Sequence, residues 1–367
     1  MTDFSIFQGK TVIVTGHTGF KGSWLSLWLN KLGAKVVGIS DHVPTKPSNF
    51  EVSDIKSFIL DHRIDIRNEA EIASVFEEVQ PDFVFHLAAQ ALVRSSYESP
   101  IETMSINSLG TAVVLEALKK IKKQVVAIMI TSDKAYDNVE WVWGYREHDR
   151  LGGKDPYSAS KGMAELVIKS YIESYFSSID SNVKIGIARA GNVIGGGDWA
   201  ADRIIPDCMK AWSNGDVVDI RSPSSTRPWQ HVLEPLSGYL TLACDLSSSS
   251  RYHGEAYNFG PLGQNNQSVS QLIDEMSLYW KDVQWRDVSK GKDAFHEAGL
   301  LKLNCDKALL ELKWLPTLNF SETIKMTTDW YRDYYQSGNP NLKTISSSQI
   351  DQYSLIAKEK AISWAKS

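Results

Sequence analysis

The stretch Thr15-Gly16-His17-Thr18-Gly19-Phe20-Lys21-Gly22 decides the fold of this chain. It follows a β-branched run at 11–15 and precedes a segment at 24–32 with apolar residues at helical spacing, which predicts a strand, a glycine-rich turn and a helix. Such a turn brings backbone N–H groups and the positive end of a helix to a phosphate group. We therefore expect these residues to bind a dinucleotide: Gly16, Thr18, Gly19, Phe20, Lys21 and Gly22.

Short apolar runs alternate with amphipathic segments over the first 190 residues. The runs predict buried strands at 11–15, 35–39, 82–86, 125–130 and 184–188. The segments between them predict helices at 24–32, 69–79, 105–118 and 158–175. This alternation indicates an α/β fold of the Rossmann type, a doubly wound parallel sheet that binds ligands at the carboxyl ends of its strands.

We expect three parts in the chain. Residues 1–190 form the dinucleotide-binding domain, and residues 191–335 form a smaller α/β region that binds most of the substrate, with helices at 202–212 and 232–246. Residues 336–367 begin with a polar Ser/Asn-rich linker at 336–348 and end in a helix at 351–365.

The composition excludes several classes of protein. The 367 residues carry 39 Lys and Arg against 44 Asp and Glu, a net charge of −5, which argues against nucleic acid or an anionic membrane as partner. Three separated cysteines without a CxxC motif predict neither a disulfide framework nor a metal site. The first residues do not resemble a signal peptide, so we expect a cytoplasmic protein.

A second cluster of motifs carries chemistry. Tyr157 and Lys161 stand four residues apart, on one face of the helix at 158–175. A nearby ammonium ion favours tyrosinate, so we expect Lys161 to lower the pKa of Tyr157 and make it a general base. Ser132, Asp133 and Lys134 follow the strand at 125–130 and should face the same site. In isolation, Tyr157 with Lys161 and Asp133 with Lys134 would each be interpreted as an ordinary surface pair.

The spacing GxxGxxG resembles the short-chain dehydrogenase/reductase form of the dinucleotide-binding turn. That resemblance implies a ribose contact at Ser40 or Asp41, so NAD is favoured and NADP is not excluded. It also places the adenine at Asp65 and Ile66. A cofactor-contacting turn is implied at Leu87, Ala88 and Ala89.

Seven motifs between about residues 9 and 335 together resemble the CDP-glucose 4,6-dehydratases, a branch of the extended short-chain dehydrogenases/reductases. They are TGHTGFKGSWL, HLAAQ, TSDKAY, YSASK, RAGNVIGGGDW, RPWQHV and HEAGLLKLNCDKA. Related dTDP-glucose and GDP-mannose dehydratases usually have Asp-Glu where this chain has Asp133-Lys134. This departure favours the CDP-sugar branch.

The resemblance implies a lyase that converts CDP-glucose to CDP-4-dehydro-6-deoxyglucose and water, with NAD taking a hydride from C4 and returning it at C6. Tyr157, assisted by Ser132 and Lys161, would take the 4-OH proton. Lys134 would be the base at C5, and Asp133 would protonate the departing C6 hydroxyl. Implied substrate contacts are Gln90, Asn192, Arg203, Arg227, His231 and His296, although each histidine could equally be structural.

Two other functions remain open at this stage. One is a different sugar-nucleotide 4,6-dehydratase or a 4-epimerase, which shares Tyr157 and Lys161 but needs no acid/base pair for elimination. The other is a non-catalytic dinucleotide sensor, which would typically have lost that pair. Family analogy further implies a homodimer or homotetramer joined through the helices at 105–118 and 158–175, and a role in deoxysugar synthesis for lipopolysaccharide.

Overall fold

The computed structural model describes residues 3–178, 181–262, 266–289, 300–338 and 340–365. In chain order its strands are β1 (Thr11–Thr15), β2 (Lys35–Ile39), β3 (Leu60–His62), β4 (Phe83–His86), β5 (Val125–Ile130), β6 (Val183–Ala190), β7 (Val193–Ile194), β8 (Val218–Ile220), β9 (Thr226–Arg227), β10 (Gln230–His231), β11 (Ala256–Phe259), β12 (Gln267–Ser268) and β13 (Trp285–Asp287).

The helices surround these strands. They are α1 (Phe20–Lys31), α2 (Asn49–Val52), α3 (Glu69–Val79), α4 (Val93–Glu98), α5 (Pro100–Met104), α6 (Gly110–Leu118), α7 (Pro156–Tyr171), α8 (Ile204–Ser213), α9 (Leu233–Ser248), α10 (Val269–Met276), α11 (Phe320–Gln336) and α12 (Leu342–Glu359). Short π-helical segments continue α5 into α6 and extend α7, at Ser105–Leu109 and Ile172–Phe176.

Within the described residues, seven strands form one parallel sheet in the order β3-β2-β1-β4-β5-β6-β11. The chain winds outward in both directions from β1, so the order reverses between β1 and β4. This is the doubly wound topology predicted from the sequence, and it opens a crevice at the carboxyl ends of these two strands. β11 shows that the region beyond residue 191 also contributes to the sheet.

Burial explains why the apolar runs became strands. The side chains of β4 and β5 are buried along their whole length, as expected for central parallel strands covered by helices on both faces. Trp24 and Trp28 of α1 are likewise buried in the core. The short edge strands β3 and β11 were not predicted, because three or four residues of mixed polarity carry little periodic signal.

The predicted linker at 336–348 is wrong in its second half. Asn341 caps a helix by accepting a hydrogen bond from the backbone N–H of Thr344, and α12 therefore begins at Leu342. A buried carboxylate anchors the chain on both sides of α11: Glu234 of α9 accepts hydrogen bonds from the backbone N–H groups of Thr317 and Leu318 and from the Tyr353 hydroxyl. Such tertiary contacts outweigh the polar composition that suggested a loop.

No helix among the described residues is long and apolar enough to cross a membrane.

Candidate active site

The glycine-rich turn between β1 and α1 forms a cradle of backbone, here called the cradle (residues 15–22). Gly16 has φ +75°, and a Cβ atom there would lie 2.7 Å from the backbone nitrogen of Ala88. A Cβ atom on Gly22 would lie 2.1 Å from the carbonyl oxygen of Gly16. The turn thus approaches the residues after β4 and the start of its own helix closely, and the N-cap residue of α1, Gly19, has no side chain to bond the first N–H groups of the helix. Its first N–H groups are available to a phosphate, as predicted.

The two ribose contacts predicted at the end of β2 are less favourably placed than the sequence suggested. Asp41 is exposed and accepts a hydrogen bond from the backbone N–H of His42. Ser40 is buried, and its hydroxyl has no hydrogen-bond partner among the described residues. A carboxylate that sequence reasoning missed lies nearby: Asp61 of β3, which pairs with His17 of the cradle at 2.9 Å. Arg63 also donates to Asp61.

The predicted adenine residues lie on the loop that precedes α3. The Asp65 carboxylate accepts hydrogen bonds from the Arg67 guanidinium, which lowers its pKa. Ile66 is buried, and a Cβ atom on Gly110 would come within 2.5 Å of its Cδ1 atom. The predicted turn of Leu87, Ala88 and Ala89 follows β4 and is half-buried; Ala88 donates its N–H to the Thr15 hydroxyl.

The predicted catalytic side chains come together at the carboxyl end of β5. The segment Thr131–Tyr136, here called the catalytic turn, continues β5 through a single 3-10 turn at Asp133–Ala135. Ser132 caps that turn: its hydroxyl accepts the Lys134 N–H at 3.2 Å and donates to Asp133 Oδ1 at 2.9 Å. The Asp133 carboxylate lies against the backbone of Gly191, so the turn faces the loop that carries Asn192.

Tyr157 and Lys161 lie on α7 beside this turn and are both buried. Burial raises the pKa of Tyr157 to about 12, and the Ser132 hydroxyl and the Arg203 charge only partly oppose it. The predicted lowering of the Tyr157 pKa by Lys161 is therefore wrong for the protein alone. Burial instead lowers the pKa of Lys161 to about 8, against the Glu165 carboxylate, which raises it. Burial also raises the pKa of Asp133, which suits an acid.

Two further cations, Lys21 and Arg203, lie near the catalytic residues. Burial lowers the pKa of Lys21 to about 8; the positive charges of Arg203 and Lys161 add to the lowering, and Asp133 opposes it. Arg203 is the N-cap residue of α8 and donates to Asp198 at 2.6 Å. The structure thus brings Arg203 of the second region to the catalytic residues, and its contact with substrate stays a prediction.

The remaining predicted substrate residues are placed unequally. Asn192 and Arg227 are half-buried, on the loop after β6 and on β9. The Gln90 side chain is hydrogen-bonded to Leu92 in its own loop and to Thr103 of α5. His231 is fully buried edge-on to the Trp24 ring, and burial lowers its pKa to about 3.

These surroundings correct the expectation for His231: they assign it to packing rather than to substrate. His296 lies outside the described residues.

A buried ion pair holds the catalytic turn in place. Arg189 of β6 donates from Nε and Nη2 to the two Glu165 oxygens at 2.6 and 2.7 Å, and both side chains are almost completely buried. Glu165 also accepts from the Thr131 hydroxyl at 2.6 Å. Arg189 donates to the Tyr136 hydroxyl at 2.7 Å, which in turn donates to Asn258 of β11. Both ends of the turn are therefore tied to the same pair.

Sequence reasoning missed this ion pair and one buried histidine. His86, in the HLAAQ motif, contacts the hydroxyls of Thr15 and Thr111, and burial lowers its pKa to about 3. One signal for the ion pair was present: Glu165 follows Lys161 by four residues on the same helix face.

No group of three or more His, Cys, Asp or Glu residues in the described ranges could hold a metal ion.

Comparison with known proteins gives a consistent result. The family model described as GDP-mannose 4,6 dehydratase matches residues 13–327. A CDP-glucose 4,6-dehydratase of Salmonella typhimurium is 47% identical over 336 residues, which cover 90% of this chain and 93% of the relative.

Solved structures share the fold. A dTDP-glucose 4,6-dehydratase of Bacillus anthracis, in complex with NAD, has a TM-score of 0.73 at 20% identity, over 90% of this chain and 99% of that one. An epimerase of Methanothermobacter thermautotrophicus has a TM-score of 0.75 at 25% identity, over 91% and 95% of the two chains.

Proposed function

Because the chain belongs to the GDP-mannose 4,6-dehydratase family, we propose that it is an enzyme that converts CDP-D-glucose to CDP-4-dehydro-6-deoxy-D-glucose and water. The observation that carries this proposal is the meeting of Asp133 and Lys134 with Tyr157 at one strand end. An epimerase needs the tyrosine alone, whereas elimination across C5 and C6 needs an acid and a base as well.

The residues fit NAD as cofactor. The cradle offers backbone N–H groups at the start of α1, and the close approaches at Gly16 and Gly22 leave no room for larger residues. Bound there, NAD supplies a hydride acceptor for C4 and a hydride donor for C6. The NAD complex of the Bacillus anthracis relative supports this assignment.

Tyr157 removes the proton of the 4-hydroxyl group. Its high pKa in the protein alone means that it needs added positive charge to act near neutral pH, and Lys161, Lys21 and Arg203 are the cations at hand. The Ser132 hydroxyl lies beside the phenol and orients the sugar hydroxyl by hydrogen bonding.

Elimination then falls to the catalytic turn. The 4-ketone acidifies the C5 hydrogen, which Lys134, acting as an uncharged amine, accepts as a proton to become an ammonium ion. Asp133, whose pKa burial raises, gives its proton to the C6 hydroxyl, which leaves as water. The two groups are adjacent in the chain, so the short 3-10 turn delivers both to neighbouring carbons.

The nucleotide is held by the second region. Arg203 and Arg227 present guanidinium groups suited to paired phosphate oxygens, and Asn192 lies on the loop beside Asp133. Identity of 47% to the Salmonella typhimurium enzyme supports CDP as the nucleotide.

Product analysis by NMR with CDP-, dTDP-, UDP- and GDP-glucose tests the proposal. We expect a 6-deoxy-4-keto product from CDP-glucose and little from the other three. A 4-epimer as product would support an epimerase instead, and binding of NAD without turnover of any of the four would support a sensor.

We also propose a homodimer, in the cytoplasm, that supplies deoxysugars for lipopolysaccharide. Large apolar side chains are exposed on α5, on the π segment that follows it and on α7: Ile101, Leu109, Met163 and Leu166. Such a patch is typical of a subunit interface. Sedimentation of Leu166→Glu should show monomers, and an unchanged dimer would contradict this interface.

A further inference from the structure

The motif Gly-Gly-Gly-Asp at residues 195–198, here called the glycine loop, has no role in the proposed mechanism. It directly follows β7 and lies against the cradle, since a Cβ atom on Gly195 would come 3.3 Å from the Cζ atom of Phe20. The Gly196 carbonyl accepts a hydrogen bond from the Trp24 indole N–H of α1 at 2.8 Å. The loop is therefore fixed against the cradle and the first helix.

Asp198 ends the glycine loop, and its side chain is buried. Its Oδ2 atom accepts a hydrogen bond from Arg203 Nη1 at 2.6 Å, and its Oδ1 atom accepts one from the backbone N–H of Ala200 at 3.1 Å. The backbone carbonyl of Asp198 also accepts a hydrogen bond from the Tyr331 hydroxyl of α11. Because its carboxylate and its backbone are both fixed, Asp198 can hold a partner in one orientation.

The ion pair of Asp198 and Arg203 is unequally exposed. The Asp198 side chain is 7% exposed, whereas the Arg203 side chain is 36% exposed. Arginine has five N–H donors, and here Nη1 bonds to Asp198 while Nε and Nη2 have no hydrogen-bond partner among the described residues. A guanidinium group held at one nitrogen and open at the others is suited to bind paired phosphate oxygens.

We propose that Asp198 is a positioning residue for substrate binding, which orients Arg203 so that its remaining N–H groups face the diphosphate of the sugar nucleotide. The inference rests on the proposed function, in which Arg203 contacts that diphosphate. An unrestrained arginine side chain loses the freedom of several rotatable bonds when it binds a ligand. The contact with Asp198 removes much of this entropy loss in advance. Asp198 itself does not touch the substrate, because the guanidinium group stands between the two anions.

A double-mutant cycle on the binding of CDP tests this proposal. CDP carries the diphosphate but no hexose, so calorimetry measures its affinity without turnover. Asp198→Asn should weaken CDP binding about tenfold, because Arg203 loses its fixed orientation, and Arg203→Met should weaken it on the order of 100-fold. In the Arg203→Met background, Asp198→Asn should not weaken binding further, since Asp198 acts only through the guanidinium group.

Asp202→Asn is the matched control. Asp202 is the residue before Arg203, but it pairs with Arg94 and Arg221 instead, and asparagine tolerates its φ of +60°. CDP affinity of this variant should stay within about twofold of the wild-type value. The NAD affinity of Asp198→Asn should stay within about threefold, which separates a positioning role from general damage to the fold.

Arg203→Lys covers the case in which Asp198→Asn does not fold. Its single ammonium group would pair with Asp198 and would present no second pair of N–H groups to the phosphates. This variant should therefore bind CDP as weakly as Arg203→Met does, although it keeps the positive charge.

Three results would overturn the proposal. They are CDP binding by Asp198→Asn that is as tight as in the wild type or tighter, an equal loss from Asp198→Asn in both backgrounds, and wild-type affinity in Arg203→Lys. Because the diphosphate is common to the candidate nucleotides, the cycle uses whichever of CDP, dTDP, UDP and GDP binds most tightly. Binding of none of them would overturn this proposal together with the proposed function. Failure to convert CDP-glucose, with the coupling in the cycle intact, would defeat the proposed function alone.

Discussion

The cradle follows β1 and the catalytic turn follows β5, so both lie at the carboxyl edge of the same sheet. Different kinds of contact nevertheless hold them in place. The cradle is shaped largely by its own backbone, since the Gly19 N–H donates to the Gly16 carbonyl and the Ser23 hydroxyl donates to the His17 carbonyl. The side chains of Thr15 and His17 add contacts to His86 and Asp61. The catalytic turn is held by side chains from distant elements, with Glu165 34 residues from Thr131 and Asn258 122 residues from Tyr136.

The cradle and the catalytic turn should therefore be disrupted by different kinds of substitution. The cradle depends on the absence of side chains, so it should be damaged by adding atoms within its own eight residues. The catalytic turn depends on a buried polar network, so it should be damaged by removing a group elsewhere in the chain.

The largest effect should come from breaking the Glu165–Arg189 pair. Glu165→Gln leaves the Arg189 charge buried without its partner, and the free energy of unfolding should fall by about 3–5 kcal/mol. Urea denaturation measures this change. Replacing both residues by Met should restore part of the loss, whereas Arg286→Met, which breaks an exposed pair with Asp219, should cost less than about 1 kcal/mol. Equal losses in free energy of unfolding for Glu165→Gln and Arg286→Met would contradict the idea that burial makes the first pair more important.

The next effect should be confined to the cradle. In Gly22→Ala the new methyl group would collide with the Gly16 carbonyl, so NAD affinity should fall on the order of 100-fold. Calorimetric titration with NAD measures it. Gly260→Ala is the matched control, because its nearest neighbour would be the Cys305 sulfur at 3.4 Å, an ordinary contact. A Gly22→Ala protein that binds NAD normally would exclude the cradle as the phosphate site.

A smaller effect should come from the buried Lys161 of α7, and it should depend on pH. Because the pKa of Lys161 is lowered to about 8 in the folded protein, the unfolded chain holds the proton more tightly. Below pH 8 the buried Lys161 ammonium group therefore lowers the free energy of unfolding by its full amount, and this penalty decreases as the pH rises from the folded pKa toward the unfolded pKa.

Relative to Lys161→Met, the wild type should gain roughly 2 kcal/mol in free energy of unfolding between pH 8 and 9.5. Urea titrations at the two pH values test this, with Lys31→Met as the control that should show no such gain. A constant difference across this range would mean that Lys161 stays charged.

The smallest effect should come from the edge of the network. Thr131→Val removes one hydrogen bond to Glu165, which keeps both of its bonds to Arg189. The free energy of unfolding should fall by about 1 kcal/mol. Thr344→Val, at an exposed position of α12, is the control and should be neutral. A loss as large as that of Glu165→Gln would place the hydroxyl, not the ion pair, at the centre of the network.

The same contrast explains what the sequence could predict. The cradle consists of eight consecutive residues, and Tyr157 and Lys161 are one helical turn apart. Local spacing was therefore sufficient to predict that each set of residues lies together. β3 and β11 depend on strand partners elsewhere in the chain, whereas the start of α12 is set by the local Asn341 cap, a signal that the polar composition of the segment concealed. The pKa of Tyr157 and the packing role of His231 follow from burial, which one sequence does not display.

We propose that the catalytic turn makes this chain a dehydratase rather than an epimerase. The most direct measurement is NMR of the product formed from CDP-glucose that carries deuterium at C4. If the turn has this role, the product should be a 6-deoxy-4-keto sugar with the deuterium in its C6 methyl group. A hexose that keeps its C6 hydroxyl and carries the deuterium at C4 in inverted configuration would contradict it.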